Sequence, residues 1–410
     1  MPGGWRASLH APVIETMRGH RAWAEIDLSA LANNIRVVRG HLPNARVKIL
    51  AVVKANAYGH GAVPVAVKAL ASGCTGLGVG DSTEALELRE SGITGPILIL
   101  GTIIEEEIPR VVEYDVAVTV HSLDLLPLLE SEARRQHRVL RVHLKVDTGM
   151  GRLGASLKSA PDVAKAILSC GHLELEGLCT HLSSVASTDP TFTQEQLARF
   201  RSVLDEIETL GIRPRIIHVA NSVGLFTFPN AHYDMVRPGI SLYGMDPGLF
   251  ARLKLPLVPT LSLRTRIAFL KGVTAGATIG YDQSFTVTRD TMIATCPIGY
   301  ADGYPHRLTN KGTVLIRGRR CPVVGKVMMD YILVDVGQLG EVRAGDEVTL
   351  IGRDGLEEVR VEDLAREVGT LPYEITCRLG ERVKRVYVES AVAAAGSERP
   401  IQSMTRRLAL

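Results

Sequence analysis

Between residues 21 and 258 short strand-like apolar runs alternate with longer stretches of helical pattern. The apolar runs are 47–53 (VKILAVV), 76–80, 96–101 (PILILG), 116–120, 139–146 (VLRVHLKV), 174–180, 215–220 (RIIHVA) and 233–237. Most are continuously apolar, as parallel strands buried on both faces are, whereas a strand with one wet face would alternate. The helical patterns fall at 28–41, 61–72, 82–92, 103–114, 122–137, 156–170 and 191–211, with Asp27 placed to cap the first of them. Eight strands separated by helices fit a (β/α)8 barrel better than an open sheet.

After residue 258 the long helical patterns stop. Val, Thr and Ile runs punctuated by glycine follow at 261–270, 278–281, 291–297, 313–316, 321–327, 331–336, 347–351 and 382–388, with one short helix near 361–367. The expected organisation is α/β: a (β/α)8 barrel domain over 21–258, then a mostly β domain over 259–389. Residues 1–20 and 390–410 read as tails. A chain of 410 residues is long enough for two or three domains. Its 47 Lys+Arg nearly cancel 44 Asp+Glu, which argues against nucleic acid as the main partner. No apolar run approaches the ~20 residues of a membrane span. The six cysteines lie far apart with no CxxC pair, so they read as scattered thiols in a reducing compartment. The first residues lack the apolar stretch of a secretory signal. A cytoplasmic protein without a metal is expected.

A barrel of this kind places its chemistry at the C-terminal ends of the strands. Lys54 follows the first run directly, in AVVKANAYGHG. The fifth run ends in Lys145-Val-Asp147-Thr-Gly-Met-Gly-Arg152, the sixth at His181, the seventh at Asn221-Ser222, and the eighth at Arg237-Pro-Gly239-Ile240. Most lysines beyond a strand are simply solvated. One held at an apolar barrel mouth is desolvated, which lowers its pKa and frees its amine for Schiff-base chemistry. Ser222 offers a hydroxyl, and the backbone around Gly239 and Ile240 offers N–H groups to an anion, in the region where barrels often bind phosphate. The ordinary alternative is a helix cap followed by a turn. A Schiff-base lysine facing a phosphate cradle suggests pyridoxal phosphate (PLP).

AVVKANAYGHG resembles the cofactor-attachment motif of the alanine racemase family. The resemblance continues through WAEIDLSALANNI, KVDTGMGRLG, CTHLSS, HVANS, VRPGISLYG, PIGYADGY, GKVMMDY and LPYEITCRLGERV, in the family's order over about residues 22–387. It implies a PLP-dependent isomerase that interconverts L- and D-alanine and supplies D-alanine for cell-wall peptidoglycan. Lys54 would carry PLP and act as one catalytic base, and Tyr300 would act on the opposite face, since racemisation needs one group to remove the α-proton and another to return it. Arg237 would face the pyridine nitrogen, and Arg152 the PLP phenolic oxygen and the substrate carboxylate. Asn221, Ser222, Gly239, Ile240, Tyr58 and Tyr373 would hold the cofactor, chiefly its phosphate. His181 would help stabilise the tyrosine phenolate. Met329 would meet the substrate carboxylate through its backbone N–H, with Asp330 beside it at the substrate site, and Lys145 matches a lysine that is carbamylated in some members. In this family the tyrosine comes from the partner subunit, so a homodimer with Tyr300 and Met329 contributed across the interface is implied.

Two departures from the family pattern bear on access. Lys326 stands where arginine is common, and the acid expected about five residues after His181 is displaced to Asp189. Alternatives are a racemase of broader specificity, acting for example on serine, and a non-catalytic PLP-binding protein. An amino-acid decarboxylase fits less well, because a carboxylate is expected where Arg237 stands. Asp147-Thr148-Gly149 mimics one half of an aspartic protease, but that chemistry needs two juxtaposed aspartates.

Overall fold

The computed structural model describes residues 19–389. The two expected tails lie outside the described residues, apart from Gly19 and His20. A first strand, β1 (Ala22–Asp27), is followed by the eight expected runs as β2 (Lys48–Val52), β3 (Gly76–Val79), β4 (Ile97–Ile99), β5 (Ala117–Val120), β6 (Leu140–Lys145), β7 (Leu173–Cys179), β8 (Ile216–Asn221) and β9 (Met235–Arg237). Strands β2 to β9 pair in parallel and in chain order, and β9 closes onto β2 through Lys48↔Met235 and Ile49↔Val236. Helices ring this closed barrel. Leu28–Gly40 starts where the Asp27 carboxylate accepts the amides of Ser29 and Ala30, and Ser82–Glu90 where Asp81 accepts from Glu84. These caps satisfy amides that a helix start leaves without intrahelical partners.

Beyond the barrel the chain is mostly β. The strands are β10 (Leu261–Arg266), β11 (Phe269–Val273), β12 (Thr278–Ile279), β13 (Phe285–Thr286), β14 (Thr291–Cys296), β15 (Thr313–Ile316), β16 (Arg319–Pro322), β17 (Ile332–Asp335), β18 (Glu347–Asp354), β19 (Glu357–Val359) and β20 (Lys384–Val388). One sheet has the order β16-β15-β18-β10-β1-β20 with β19 on β18; smaller sheets are β11-β14-β17 and β12-β13.

The position of β1 differs from the sequence expectation, which gave residues 21–47 to the barrel. Ala22–Asp27 runs antiparallel to β10 and parallel to β20, inside the C-terminal sheet. Trp23 is fully buried, and Glu25 reaches Arg264 of β10 at 3.0 Å. Other differences are local. The 261–270 run divides into β10 and β11. The 321–327 run contributes only the end of β16. The helical pattern at 103–114 opens as a 3₁₀ turn, Glu105–Glu107, and becomes a helix at Ile108–Glu113, with Pro109 in its first turn where no N–H is required.

Candidate active site at the mouth of the barrel

The segment after β2 turns the wrong way for L-residues. Ala55, Asn56, Ala57 and Tyr58 all sit at φ between 52° and 55°, one turn of left-handed helix. Each such residue costs about 1–2 kcal/mol, so the surroundings must impose the conformation. Several contacts do so. The amide of Ala57 donates to Val53 O at 2.7 Å and that of Gly59 to Ala55 O at 2.9 Å. The Asn56 side chain accepts from Ala62 N at 2.7 Å. Glu84, on the helix Ser82–Glu90, accepts the amide of Ala55 with one carboxylate oxygen and that of Gly80 with the other. Gly59, at φ 84°, lies so close to Thr376 O that a Cβ would stand 1.9 Å from it. Lys54 heads this turn and is thereby fixed at the end of β2.

Lys54 lines a cavity of about 660 Å³ at the C-terminal ends of the barrel strands. Of the sequence candidates, Tyr58, Lys145, Arg152, His181 and Asn221 line it too, as do Ser222, Arg237, Gly239, Ile240 and Tyr373. Four of these residues are cations, and none of the lining residues is Asp or Glu. Burial, reinforced by Arg152, lowers the pKa of the Lys54 amine. Burial also lowers that of Lys145, which is 6% exposed and whose Nζ donates to Leu100 O at 3.2 Å. Among the described residues neither Lys145 nor Arg152 has a carboxylate partner. An anion is the charge such a cavity lacks.

One wall is built from hydroxyls and backbone. Ser222 Oγ accepts from Gly239 N at 2.8 Å, from Ser241 N at 3.3 Å and from Ser241 Oγ at 3.1 Å, which leaves its own hydrogen to donate. Asn221 caps the short helix Ser222–Thr227 through Gly224 N, so its side chain shapes the wall. The ring of Tyr58 stands edge-on to that of Tyr373, centroids 6.2 Å apart. Tyr373 comes from the helix Pro372–Cys377, which the sequence pattern did not suggest, and closes the barrel cavity of its own chain.

Arg237, 5% exposed, has four of its five N–H groups engaged. Nη1 donates to His218 Nδ1 and to His218 O, both at 2.8 Å; Nη2 donates to Thr180 O at 2.7 Å and Val219 O at 3.0 Å. Nε–H has no partner among the described residues. His181 Nδ1 lies 3.5 Å from Nη2, and burial together with Arg237 holds its imidazole pKa well below the usual value, so the ring is neutral.

The remaining candidates lie elsewhere in the chain. Tyr300, 45% exposed, lines a separate cavity with His306 and Arg378. Its amide donates to Met328 O, and the next amide to Met329 O, so the GYADGY turn and Met329 form one unit. Met329 is 54% exposed, and Asp330 pairs with Arg382 at 2.8 Å. Neither lines the Lys54 cavity. Asp189 accepts the amide of Thr191 at the start of helix Thr191–Thr209, and Lys326 pairs with Asp282. Asp147 accepts the amides of Gly149, Met150 and Gly151, which outweigh burial and lower its pKa; this aspartate organises a loop. Sequence reading missed Glu84, His218 and Cys377, which also lines the cavity. His218 carried a signal, as the one polar residue inside an otherwise apolar strand.

The fold and site together define a class: a (β/α)8 barrel with a desolvated lysine and a hydroxyl-and-amide wall at its mouth, closed by a β domain. Residues 26–247 match the alanine racemase N-terminal domain, and residues 260–387 the alanine racemase C-terminal domain. The alanine racemase of Symbiobacterium thermophilum is 45% identical over 365 residues, 89% of this chain and 96% of its own. The crystal structure of the Bacillus anthracis alanine racemase with bound L-Ala-P is 37% identical with a TM-score of 0.85, covering 90% of this chain and 95% of that one. That of the Bartonella henselae alanine racemase with covalently bound pyridoxal phosphate is 31% identical with a TM-score of 0.80, covering 90% and 99%. The chain belongs to the alanine racemase family. Among the described residues no helix is long and apolar enough to cross a membrane.

Proposed function

We propose that this chain interconverts L- and D-alanine with PLP held at Lys54, and that it works as a homodimer in the cytoplasm, where its D-alanine serves peptidoglycan. One observation carries the reading: four cations, one of them a lysine with lowered pKa, line a single cavity without a carboxylate, against a wall of hydroxyls and a glycine turn. These residues fit PLP. Its phosphate suits Ser222, Tyr58, Tyr373 and the amides near Gly239 and Ile240, with Asn221 shaping the wall; its aldehyde suits the Lys54 amine. A Cβ on Gly239 would fill the same space, since it would stand 2.6 Å from the Tyr58 hydroxyl.

When bound, PLP supplies the electron sink that makes the α-hydrogen of an amino acid acidic. This chain supplies the rest. Lys54 Nζ takes or returns the α-proton on one face, and its lowered pKa keeps an uncharged population for that task. Arg237 stays protonated, and its Nε–H would be the donor for the pyridine nitrogen, with no proton transferred. Arg152 orients the substrate carboxylate, and Lys145 holds the opposite wall, as a carbamate if it is modified. Tyr300, Met329 and Asp330 are apart from Lys54 within one chain, so the second face is assigned to Tyr300 and Met329 of the partner subunit, with His181 as the tyrosine's neighbour. The barrel domain is taken as 21–258 and the β domain as 259–389, with β1 lent to the latter's sheet.

The test is a borohydride-reducible absorbance near ~420 nm combined with incubation in D2O with L-alanine. Deuterium at the α-carbon together with D-alanine supports the reading. Bound PLP with turnover of serine alone moves it to another amino acid, and PLP without turnover of any moves it to a carrier. Failure to bind PLP overturns it.

A further inference from the structure

A line of hydrogen bonds runs from Arg237 down the inside of the barrel. Arg237 Nη1 reaches His218 Nδ1 at 2.8 Å; His218 Nε2 reaches His143 Nδ1 at 2.8 Å; His143 Nε2 reaches Glu176 at 3.1 Å. Both imidazoles are buried, at 0% and 2% exposure, and Glu176 lies near the opposite, N-terminal face of the barrel. The barrel makes room for this line. A Cβ on Gly177 would stand 2.2 Å from His143 Nδ1, and the β6–β7 register shifts between Val142 and His143.

The chemistry of the two ends fixes the direction. A guanidinium only donates and a carboxylate only accepts. Burial depresses both imidazole pKa values, so both rings are neutral and each has one donor and one acceptor nitrogen. The hydrogen bond from His143 lowers the pKa of Glu176, whose other oxygen lies 3.8 Å from Arg215. His218 Nδ1 therefore accepts from Arg237, and its hydrogen is on Nε2. That hydrogen goes to His143 Nδ1, so the His143 hydrogen is also on Nε2 and points at the carboxylate.

We propose that Glu176, acting through His143 and His218, is a positioning residue for Arg237. It orients a one-way chain of donors from the barrel mouth to its base and holds the guanidinium as a fixed cation beside the cavity. The proposal deepens the reading above and rests on it only for Arg237's task at the pyridine nitrogen. Without the Glu176 carboxylate only the Arg237 end still directs the chain and the His143 Nε2–H loses its acceptor, so reversal of either ring costs less. A reversed His218 meets Arg237 donor to donor.

The test uses the protein as purified with its cofactor, labelled with ¹⁵N-histidine. Long-range ¹H–¹⁵N spectra report which ring nitrogen carries the hydrogen, with His143 and His218 assigned from single substitutions. Both are expected to be Nε2–H tautomers. Glu176→Ala is expected to introduce the Nδ1–H form at His143 and to lower kcat about 10-fold with KM within about 2-fold, the scale seen when a residue behind a functional group is lost. Glu176→Gln, which keeps an acceptor oxygen, is expected to restore the tautomers and most of kcat. Hydrogen on His143 Nδ1 in the unsubstituted protein overturns the proposal. So does a Glu176→Ala protein that loses thermal stability while its tautomers and kcat stay unchanged, or a Gln variant no better than Ala. The tautomers are readable whether or not alanine is turned over, so a wrong reaction assignment and a wrong chain direction give different results.

Discussion

A Cβ on Gly239 would stand 2.6 Å from the hydroxyl oxygen of Tyr58, so the end of β9 and the left-handed turn after β2 touch only because residue 239 has no side chain. Gly239→Ala must push Tyr58 out of the phosphate wall or tilt the turn. Crowding of this kind costs about 1–3 kcal/mol. The expected outcome is PLP affinity weaker by about 10- to 100-fold with the far-ultraviolet spectrum unchanged, measured by titrating cofactor-free protein with PLP. Wild-type affinity would show that the wall does not bear on the phosphate.

Lys54 and Tyr300 belong to different cavities of one chain, and this makes a shared site testable by mixing. Lys54→Ala and Tyr300→Ala homodimers are both expected to lack racemase activity. Refolded together, half of the dimers are mixed, and each mixed dimer has one intact site. Recovery of about a quarter of wild-type activity is expected for a two-fold dimer with isologous contacts. No recovery in mixed dimers shown to have formed would place both residues in one subunit's site.

Glu84 holds the amides of Ala55 and Gly80 with its two oxygens. Removing a charged acceptor from two amides costs about 2–3 kcal/mol or more. Glu84→Ala is expected to lower Tm and to weaken retention of PLP, since the strained turn loses the clamp nearest Lys54. Denaturant unfolding of the cofactor-free protein separates the two effects. An unchanged midpoint would mean the turn is held by its own hydrogen bonds.

His60 is 1% exposed, and burial lowers its pKa to about 4 from 6.5. The folded pKa lies below the unfolded one, so between these values the unfolded chain binds the extra proton. Stability therefore falls as pH drops from 6.5 towards 4, by about 1.4 kcal/mol per unit at most and about 3 kcal/mol in all. His143, His181 and His218 shift in the same direction and steepen this limb. His60→Gln is expected to flatten it, as followed by urea midpoints at pH 7, 6 and 5. Parallel curves for the two proteins would assign the acid limb to other groups.

The barrel was legible because a strand buried on both faces leaves a continuous apolar run, and most of the strands β2 to β9 carry one, although β7 (LELEGLC) alternates. Lys54 was legible for the same reason, as a cation ending such a run. The strand Ala22–Asp27 was harder, since AWAEID precedes a well-capped helix and its partners lie far along the chain. Nothing local in ANAY announces a left-handed turn, because its conformation is imposed by Glu84, Asn56 and the approach of Gly59 to Thr376. His143 and Glu176 each read as a polar residue in a strand. Their relation appears only when β6, β7 and β8 are placed side by side.

Strand β1 has a consequence for how the molecule is made. A ribosome releases Ala22–Asp27 long before Lys384–Val388, and these two strands are neighbours. The barrel strands can all emerge and close before the sheet that seats Trp23 exists. Until then an apolar strand waits unpaired, and such edges invite association with other chains. Slowed elongation beyond β10 should lengthen that exposure, whereas a nascent chain released complete can zip β1 between β10 and β20 in one event.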